Sequence, residues 1–324
     1  MTTTRRLILA AGAAAALPLP ALAQSFPSKP VRIVVPNAPG GAADITARTV
    51  GQAMSAGLGQ PVLIENRVGA GGVVAGETVS RADPDGHTLL LISSGTAVSE
   101  GLFNKLPFDT LKDFAPVSLM ATFDLVIVGA EGGKFKTLQD VLAYARANPG
   151  RLNIGTPQVG TTQNLAAELF KATAGIDAQV VPFNGTPPVI QAIRGGQVDI
   201  GLDILGPVMG QIQQKALHPL AVLGDKRPPQ LPNVPAARET GGPLASFNVS
   251  SWNGLAVPAK TPAAVIERLN KEVGAALAKP EVRQKLADLS LNPQHSTPQQ
   301  AAQHLAADVK RWGEVIERAK IPKQ

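Results

Sequence analysis

The chain has 324 residues, 44 % apolar and 4 % aromatic, with no cysteine, four histidines, 32 glycines and 28 prolines. The missing cysteine excludes a disulfide scaffold, a Cys-based zinc site and a thiol nucleophile. Scattered histidines weigh against a metal cluster, and few aromatics against a base-stacking surface. The formal charge of +6 includes no dense Lys/Arg cluster, so neither nucleic acid nor a membrane surface is expected as a partner.

At the start, Arg5 and Arg6 precede a short apolar run from Leu7, and Ala21-Leu22-Ala23 supplies a small-x-small cleavage pattern. The apolar run is well short of the roughly 20 residues that span a bilayer. Residues 1–23 are read as a removed export signal, its Sec or twin-arginine route left open. Those residues hold two positive charges and no acid, so the charge of +6 falls to +4 on removal.

Short apolar runs follow at 31–35, 61–64, 88–92, 125–128, 180–183, 198–202 and 220–223. Most are continuous rather than alternating, as expected of strands buried on both faces of a parallel sheet. Helical spacing links Ala43, Ala47, Val50, Met54 and Leu58, and again Leu138, Val141, Leu142 and Ala145. The alternation predicts an α/β, doubly wound architecture. Residues 106–116 read as a loop. Beyond Pro258 the pattern turns helical, with starts expected at Pro262 (capped by Thr261), Pro280 and Pro298 and the tail folding back on the sheet. Crossings near 123–128 and 251–258 divide the chain into residues 24–122 plus 249–324 and residues 123–248.

The most informative segment is Asn37-Ala38-Pro39-Gly40-Gly41-Ala42-Ala43-Asp44, where a strand ends and a helix begins. Two glycines let backbone N–H groups approach a ligand, and a helix start suits a carboxylate or phosphate. The alternative is an ordinary tight turn, with Asp44 as a first-turn acid paired to Arg48, and for Asp44 itself that reading is favoured. Glu65-Asn66-Arg67-Val68-Gly69-Ala70-Gly71-Gly72 also lies between strand and helix, but Val74 stands where a dinucleotide fingerprint needs glycine. Close packing at a turn is the better account.

Ser93-Ser94-Gly95-Thr96 and the stretch from Gly155 and Thr156 to Gly160, Thr161 and Thr162 place hydroxyls at helix starts. Neither matches a nucleophile elbow and no histidine has a partner role, so hydrolysis is set aside and N-capping is the everyday alternative. Together these loops outline a shared polar ligand cleft. Asp199 and Asp203 flank a strand, as strand-end caps or as contacts for a ligand amine or water. The histidines read as surface or turn residues, and Trp252 and Trp312 as core.

The ordered set of motifs resembles the Bug family of periplasmic receptors of tripartite tricarboxylate transporters. It runs through Pro39-Gly40-Gly41-Ala42-Ala43-Asp44, Leu58-Gly59-Gln60-Pro61-Val62, Glu65–Gly72 and Ala82-Asp83-Pro84-Asp85-Gly86-His87. It continues through Asn184-Gly185, Gly195-Gly196-Gln197-Val198-Asp199, Leu231-Pro232-Asn233-Val234-Pro235 and Trp252-Asn253-Gly254-Leu255.

The resemblance implies a two-domain, Venus-flytrap fold of the type II periplasmic-binding kind, with a helical C-terminal tail. It implies a monomeric receptor, not an enzyme, that needs no cofactor or metal. A small organic acid would lie between the domains and be passed to membrane components of the transporter. The alternative is an exported sensor feeding a kinase. By position, residues 37–44 would grip a carboxylate, residues 93–96 would face the same cleft, and Gly155–Thr162, Asn184, Gly185 and Asp203 would close it. Asn37, Ala43, Phe183 and Gln163 depart from the family's usual residues and bear on ligand choice.

Overall fold

The computed structural model describes residues 26–318 and 320–324, so the export-signal reading at 1–23 lies outside the described residues. The first elements are β1 (Val31–Val35), α1 (Ala42–Leu58), β2 (Val62–Asn66), α2 (Val73–Ser80), β3 (Thr88–Ser93) and α3 (Ser94–Leu102). β1 lies between β2 and β3, parallel to both. Helices on either side bury four of its five residues, which is why the strand reads as one apolar run.

The 17-residue strand β4 (Phe114–Ala130) then runs through both parts of the sheet. The chain continues through α4 (Leu138–Ala147), β5 (Leu152–Thr156), α5 (Thr162–Ala174), β6 (Ala178–Pro182), α6 (Thr186–Arg194), β7 (Ile200–Ile204), α7 (Leu205–Gln213) and β8 (Leu217–Val222). It ends with β9 (Ser250–Pro258), α8 (Ala263–Ala278), α9 (Pro280–Asp288), β10 (Asn292–Pro293) and α10 (Pro298–Arg318).

From Phe114 to Asp124, β4 pairs antiparallel with β9; from Leu125 it pairs with β7 and β8. The strand order β2-β1-β3-β9-β4-β7-β5-β6 is therefore one mixed path that exchanges partners inside a single strand. β2, β1 and β3 are parallel, as their apolar runs suggest, and β5 is parallel to β6 and β7, but the central β4–β9 ladder is antiparallel. We call the two parts the β1 half and the β5 half.

Three local expectations change. The segment read as a loop to 116 gives its last three residues to β4, where register shifts accommodate Pro116. β5 was not apparent as an apolar run because Asn153 and Gly155 interrupt it. Thr261 does not cap α8: Pro262 takes the N-cap position, and the Thr261 hydroxyl donates back to the Pro258 carbonyl at 2.7 Å. Pro280 and Pro298 do open helices.

The helical tail packs onto the β1 half, α8 against α1 and β4 and α10 against α3 and β4. Trp312 is buried on α10 beside Leu305 and Ile316, and buried Trp252 on β9 donates its indole N–H to Asp308 at 2.9 Å. Among the described residues, no helix is long and apolar enough to cross a membrane.

Candidate functional site

Four strand-to-helix junctions converge where the two halves face each other: β1–α1 and β3–α3 on one side, β5–α5 and β6–α6 on the other. Between them lies a cleft that opens to solvent. Among the described residues, no charged side chain lines it. Four helix starts supply partial positive charge instead; α1 is uncapped, Ser93 and Thr161 cap α3 and α5, and Pro187 and Pro188 leave the start of α6 with fewer N–H donors.

From the first loop, Asn37, Ala38, Gly41 and Ala42 line the cleft. Gly41 occupies the N-cap of α1 without a capping side chain, leaving first-turn N–H groups for a ligand. Asp44 stands behind this wall. Its carboxylate accepts from the Gly40 N–H at 3.0 Å, from Arg48 Nε at 3.0 and 3.1 Å, and from Asn66 Nδ2 at 3.0 Å. Burial pushes its pKa up, but Arg48, the Gly40 N–H and Asn66 outweigh burial and hold it below the ordinary carboxylate value. Asp44 therefore fixes the loop rather than lining the cleft. Pro39 and Gly40 do not line it either; Gly40 faces Pro187 of α6.

At β3–α3, Ser93, Gly95 and Thr96 line the cleft. The Ser93 hydroxyl accepts from the Gly95 N–H and the Thr96 hydroxyl from the Ser93 N–H, both at 3.1 Å, so the capping alternative describes both hydroxyls. Ser94 is buried away from the cleft.

On the β5 side, Gly160, Thr161 and Thr162 line the cleft, while Gly155 and Thr156 stay within β5. Thr161 caps α5, accepting from the Asn164 N–H at 3.2 Å. Thr156 accepts from Asn164 Nδ2 at 3.1 Å. Gly185 lines the cleft and Asn184 braces it from outside, accepting from Gln158 Nε2 at 3.0 Å.

Asp203 is wholly buried and does not line the cleft. Its Oδ1 accepts from Gln163 Nε2 at 3.1 Å and from the Ile204 N–H at 2.7 Å, whereas its buried Oδ2 has no hydrogen-bond partner among the described residues. Burial raises its pKa to about 6, against the opposing pull of Gln163, the Ile204 N–H and the nearby Thr186 hydroxyl. Asp199 is turned elsewhere, accepting from the Asn153 N–H at 2.8 Å and pairing with Lys134 at 2.7 Å.

The halves touch backbone to backbone. A Cβ added to Gly160 would lie 2.6 Å from Gly71 Cα, and one on Gly185 would lie 2.8 Å from Ala38 Cβ. The second glycine segment, expected to serve close packing, thus packs against the opposite half.

Gln158, within the expected Gly155–Thr162 segment, and Gln163, singled out only as a departure from the family pattern, line the cleft too; Thr186, Ser251 and Asn253 lie outside the predicted set, with apolar surface from Leu90, Phe108, Phe123 and Ile204. Ser251 and Asn253 flank buried Trp252 on β9, and period-two alternation is the signal that puts both on one face. Among the described residues, no group of three or more His, Asp or Glu stands together as metal ligands.

Residues 46–321 match the profile of the tripartite tricarboxylate transporter family receptor. BugT of Bordetella pertussis is 31 % identical over 306 residues, covering 94 % of this chain and 93 % of that protein. MatC of Rhodopseudomonas palustris, solved with bound malate, is 34 % identical at a TM-score of 0.85, covering 90 % of this chain and all of MatC. A second R. palustris protein, solved with adipate, is 29 % identical at a TM-score of 0.88, covering 92 % of this chain and all of its own. The family is one of binding receptors rather than enzymes, and its fold is the α/β periplasmic-binding fold. With most of its length matched, this chain belongs to the receptor family of the tripartite tricarboxylate transporters.

Proposed function

We propose that this chain is an exported receptor that captures a small organic acid between its two halves and delivers it to the membrane components of a tripartite transporter. The observation that carries the reading is the convergence of four helix starts on a cleft lined by no charged side chain. Burying a carboxylate costs several kcal/mol, and hydrogen bonds to the charge return about 1.5–3 kcal/mol each. First-turn backbone N–H groups of α1 behind the uncapped Gly41, and those of Thr162 and Thr186, offer such bonds without a paired arginine. Leu90, Phe108, Phe123 and Ile204 suit the carbon skeleton. The malate and adipate bound by the two R. palustris proteins support a carboxylate ligand.

Residues 24–122 with 249–324 form one domain in this reading and residues 123–248 the other. The partner exchange in β4 at Asp124–Leu125 and the entry to β9 at Ser250 support a hinge there. Asn37, Ala38, Gly41, Ala42, Ser93, Gly95, Thr96, Gly160, Thr161, Thr162 and Gly185 form the contact surface, and Pro39, Gly40, Asp44, Ser94, Gly155, Thr156, Asn184 and Asp203 support it. The receptor works as a monomer, without residues 1–23, in the periplasm. Mass spectrometry of the periplasmic protein should find Gln24 at its N-terminus.

A thermal-shift panel of mono-, di- and tricarboxylates tests the binding claim. A ligand at 100 times its Kd adds about 2.7 kcal/mol to apparent stability. No shift across the panel would overturn the carboxylate reading.

A further inference from the structure

The cleft contains an arrangement of amides that bears on which acid it takes. Two primary amides along its wall direct their nitrogens into the protein, and a third, Gln158, gives its nitrogen to exposed Asn184. Gln163 Nε2 donates to Asp203 Oδ1 at 3.1 Å, Asn253 Nδ2 to Thr46 Oγ1 at 3.2 Å, and Gln158 Nε2 to Asn184 Oδ1 at 3.0 Å. Gln163 and Asn253 are both more than nine-tenths buried, and Gln163 is oriented by a carboxylate that can only accept when ionised. Neither Gln163 Oε1 nor Asn253 Oδ1 accepts a hydrogen bond among the described residues, although both side chains line the cleft. An amide whose nitrogen faces the wall turns its oxygen the other way, so this part of the cleft presents acceptors.

Asp203 strengthens the polarity. A buried carboxylate accepts hydrogen bonds and cannot tolerate the amide oxygen of Gln163 facing it, so the amide has one stable orientation. No lysine, arginine or histidine lines the cleft to offset that negative charge. A second carboxylate placed against Gln163 would meet an amide oxygen with an anion behind it. A hydroxyl or ammonium there would meet acceptors on a favourable field.

Resting on the carboxylate reading above, we infer that the cleft selects carboxylic acids bearing a hydroxyl or amino substituent, which donates to Gln163 Oε1 and Asn253 Oδ1. Helix starts receive the carboxylate, and the amide oxygens read the donor. Asp203 is a positioning residue: it does not line the cleft but holds the Gln163 amide in its reading orientation. Discrimination of this kind is steep, because a ligand lacking the donor leaves buried acceptors unpaired.

The test is calorimetric titration with succinate, malate and aspartate, and with propionate and lactate, which lack a second carboxylate. The wild type should bind malate or aspartate at least tenfold more tightly than succinate, and lactate more tightly than propionate; the arms separate hydroxyl from amino preference. Gln163→Met removes the acceptor, and its ratio of malate to succinate affinity should fall at least tenfold. Asp203→Leu releases the Gln163 amide and removes the anion, and should lower the same ratio by tightening succinate. A purely structural role for Asp203 would weaken all five acids together, leave the ratios in place and overturn its assignment as a positioning residue. Equal affinities across the matched acids in the wild type, or an unchanged ratio in Gln163→Met, overturn the inference while leaving the carboxylate reading standing. Failure of all five acids to bind overturns both.

Discussion

Each wall of the cleft is held from behind by a buried aspartate, and the two work in opposite electrostatic settings. Asp44 behind the β1–α1 loop has Arg48, the Gly40 N–H and Asn66 on its oxygens, and its pKa is lowered. Asp203 behind the β5 wall has a glutamine and one backbone N–H, no cation and an orphan oxygen, and its pKa is raised to about 6. Folding favours the charge on Asp44 and disfavours it on Asp203. The first arrangement fastens the β1–α1 loop with a net gain. The second lowers stability so that an amide faces one way, a cost that accompanies functional sites more often than plain packing.

The largest expected effect falls where the walls meet rather than on either aspartate. Gly160 has φ +80 and stands opposite Gly71, with no space for a Cβ. Gly160→Ala should hold the halves apart and weaken carboxylate binding by a hundredfold or more, about 2.7 kcal/mol at 1.36 kcal/mol per decade. Calorimetry of the variant beside the wild type checks this, and circular dichroism should show the fold retained.

Next, Asp44→Ala leaves Arg48, the Gly40 N–H and Asn66 without their shared acceptor. Gly40 and Arg48 are exposed and Asn66 keeps the Asn37 carbonyl, so water meets part of the loss and about 1–2 kcal/mol is expected in urea unfolding. Binding should weaken too, because the loop bearing Gly41 loses its anchor.

Asp203→Asn should move stability the other way near neutral pH. The rise from 3.8 to about 6 corresponds to about 3 kcal/mol against folding when the group is ionised. An unpaired amide nitrogen in place of Oδ2 returns about 1–2 kcal/mol of that. The variant should therefore be about 1–2 kcal/mol more stable than wild type at pH 7.5. As pH falls from about 6 toward 3.8, the folded wild type takes up the proton before the unfolded chain does, so the wild type gains stability and the advantage of Asn disappears. Asp44 runs in reverse: its stabilisation is complete above the ordinary carboxylate pKa and is lost at lower pH. Urea midpoints of both proteins between pH 4 and 7.5 separate the two aspartates.

How much of this was legible in the sequence follows from how locally each feature is determined. β1 and α1 read directly, because a doubly covered strand is apolar throughout and an amphipathic helix repeats at 3.6. The β1–α1 and β3–α3 loops read as strand–helix junctions for the same reason, whereas the β5–α5 loop read only as a helix start because Asn153 and Gly155 interrupt β5. β9 did not read as a strand, since Ser251 and Asn253 are polar where a buried strand would be apolar, and they are polar because they face the cleft. Gln163 stood out only as a departure from family pattern. Its partner Asp203 lies 40 residues away, and Asn253 and Thr46 are 207 apart. Such pairs exist only once the sheet has brought β7, β9 and the helix starts together.

The smallest effect sharpens the contrast between side chains that build a wall and those that read a ligand. Ser93 lines the cleft, yet its hydroxyl is committed to the Gly95 N–H in a reciprocal cap with Thr96. Removing an N-cap costs about 1 kcal/mol of stability. Ser93→Ala should therefore lower stability by that amount and free the Gly95 N–H, a donor already aimed at the helix start. If Ser93 only builds the wall, carboxylate affinity should stay level or rise slightly, and the malate-to-succinate ratio should not move. If that ratio falls with Ser93→Ala as it does with Gln163→Met, donor reading extends to the β3–α3 junction, and the division of labour between the two walls no longer holds.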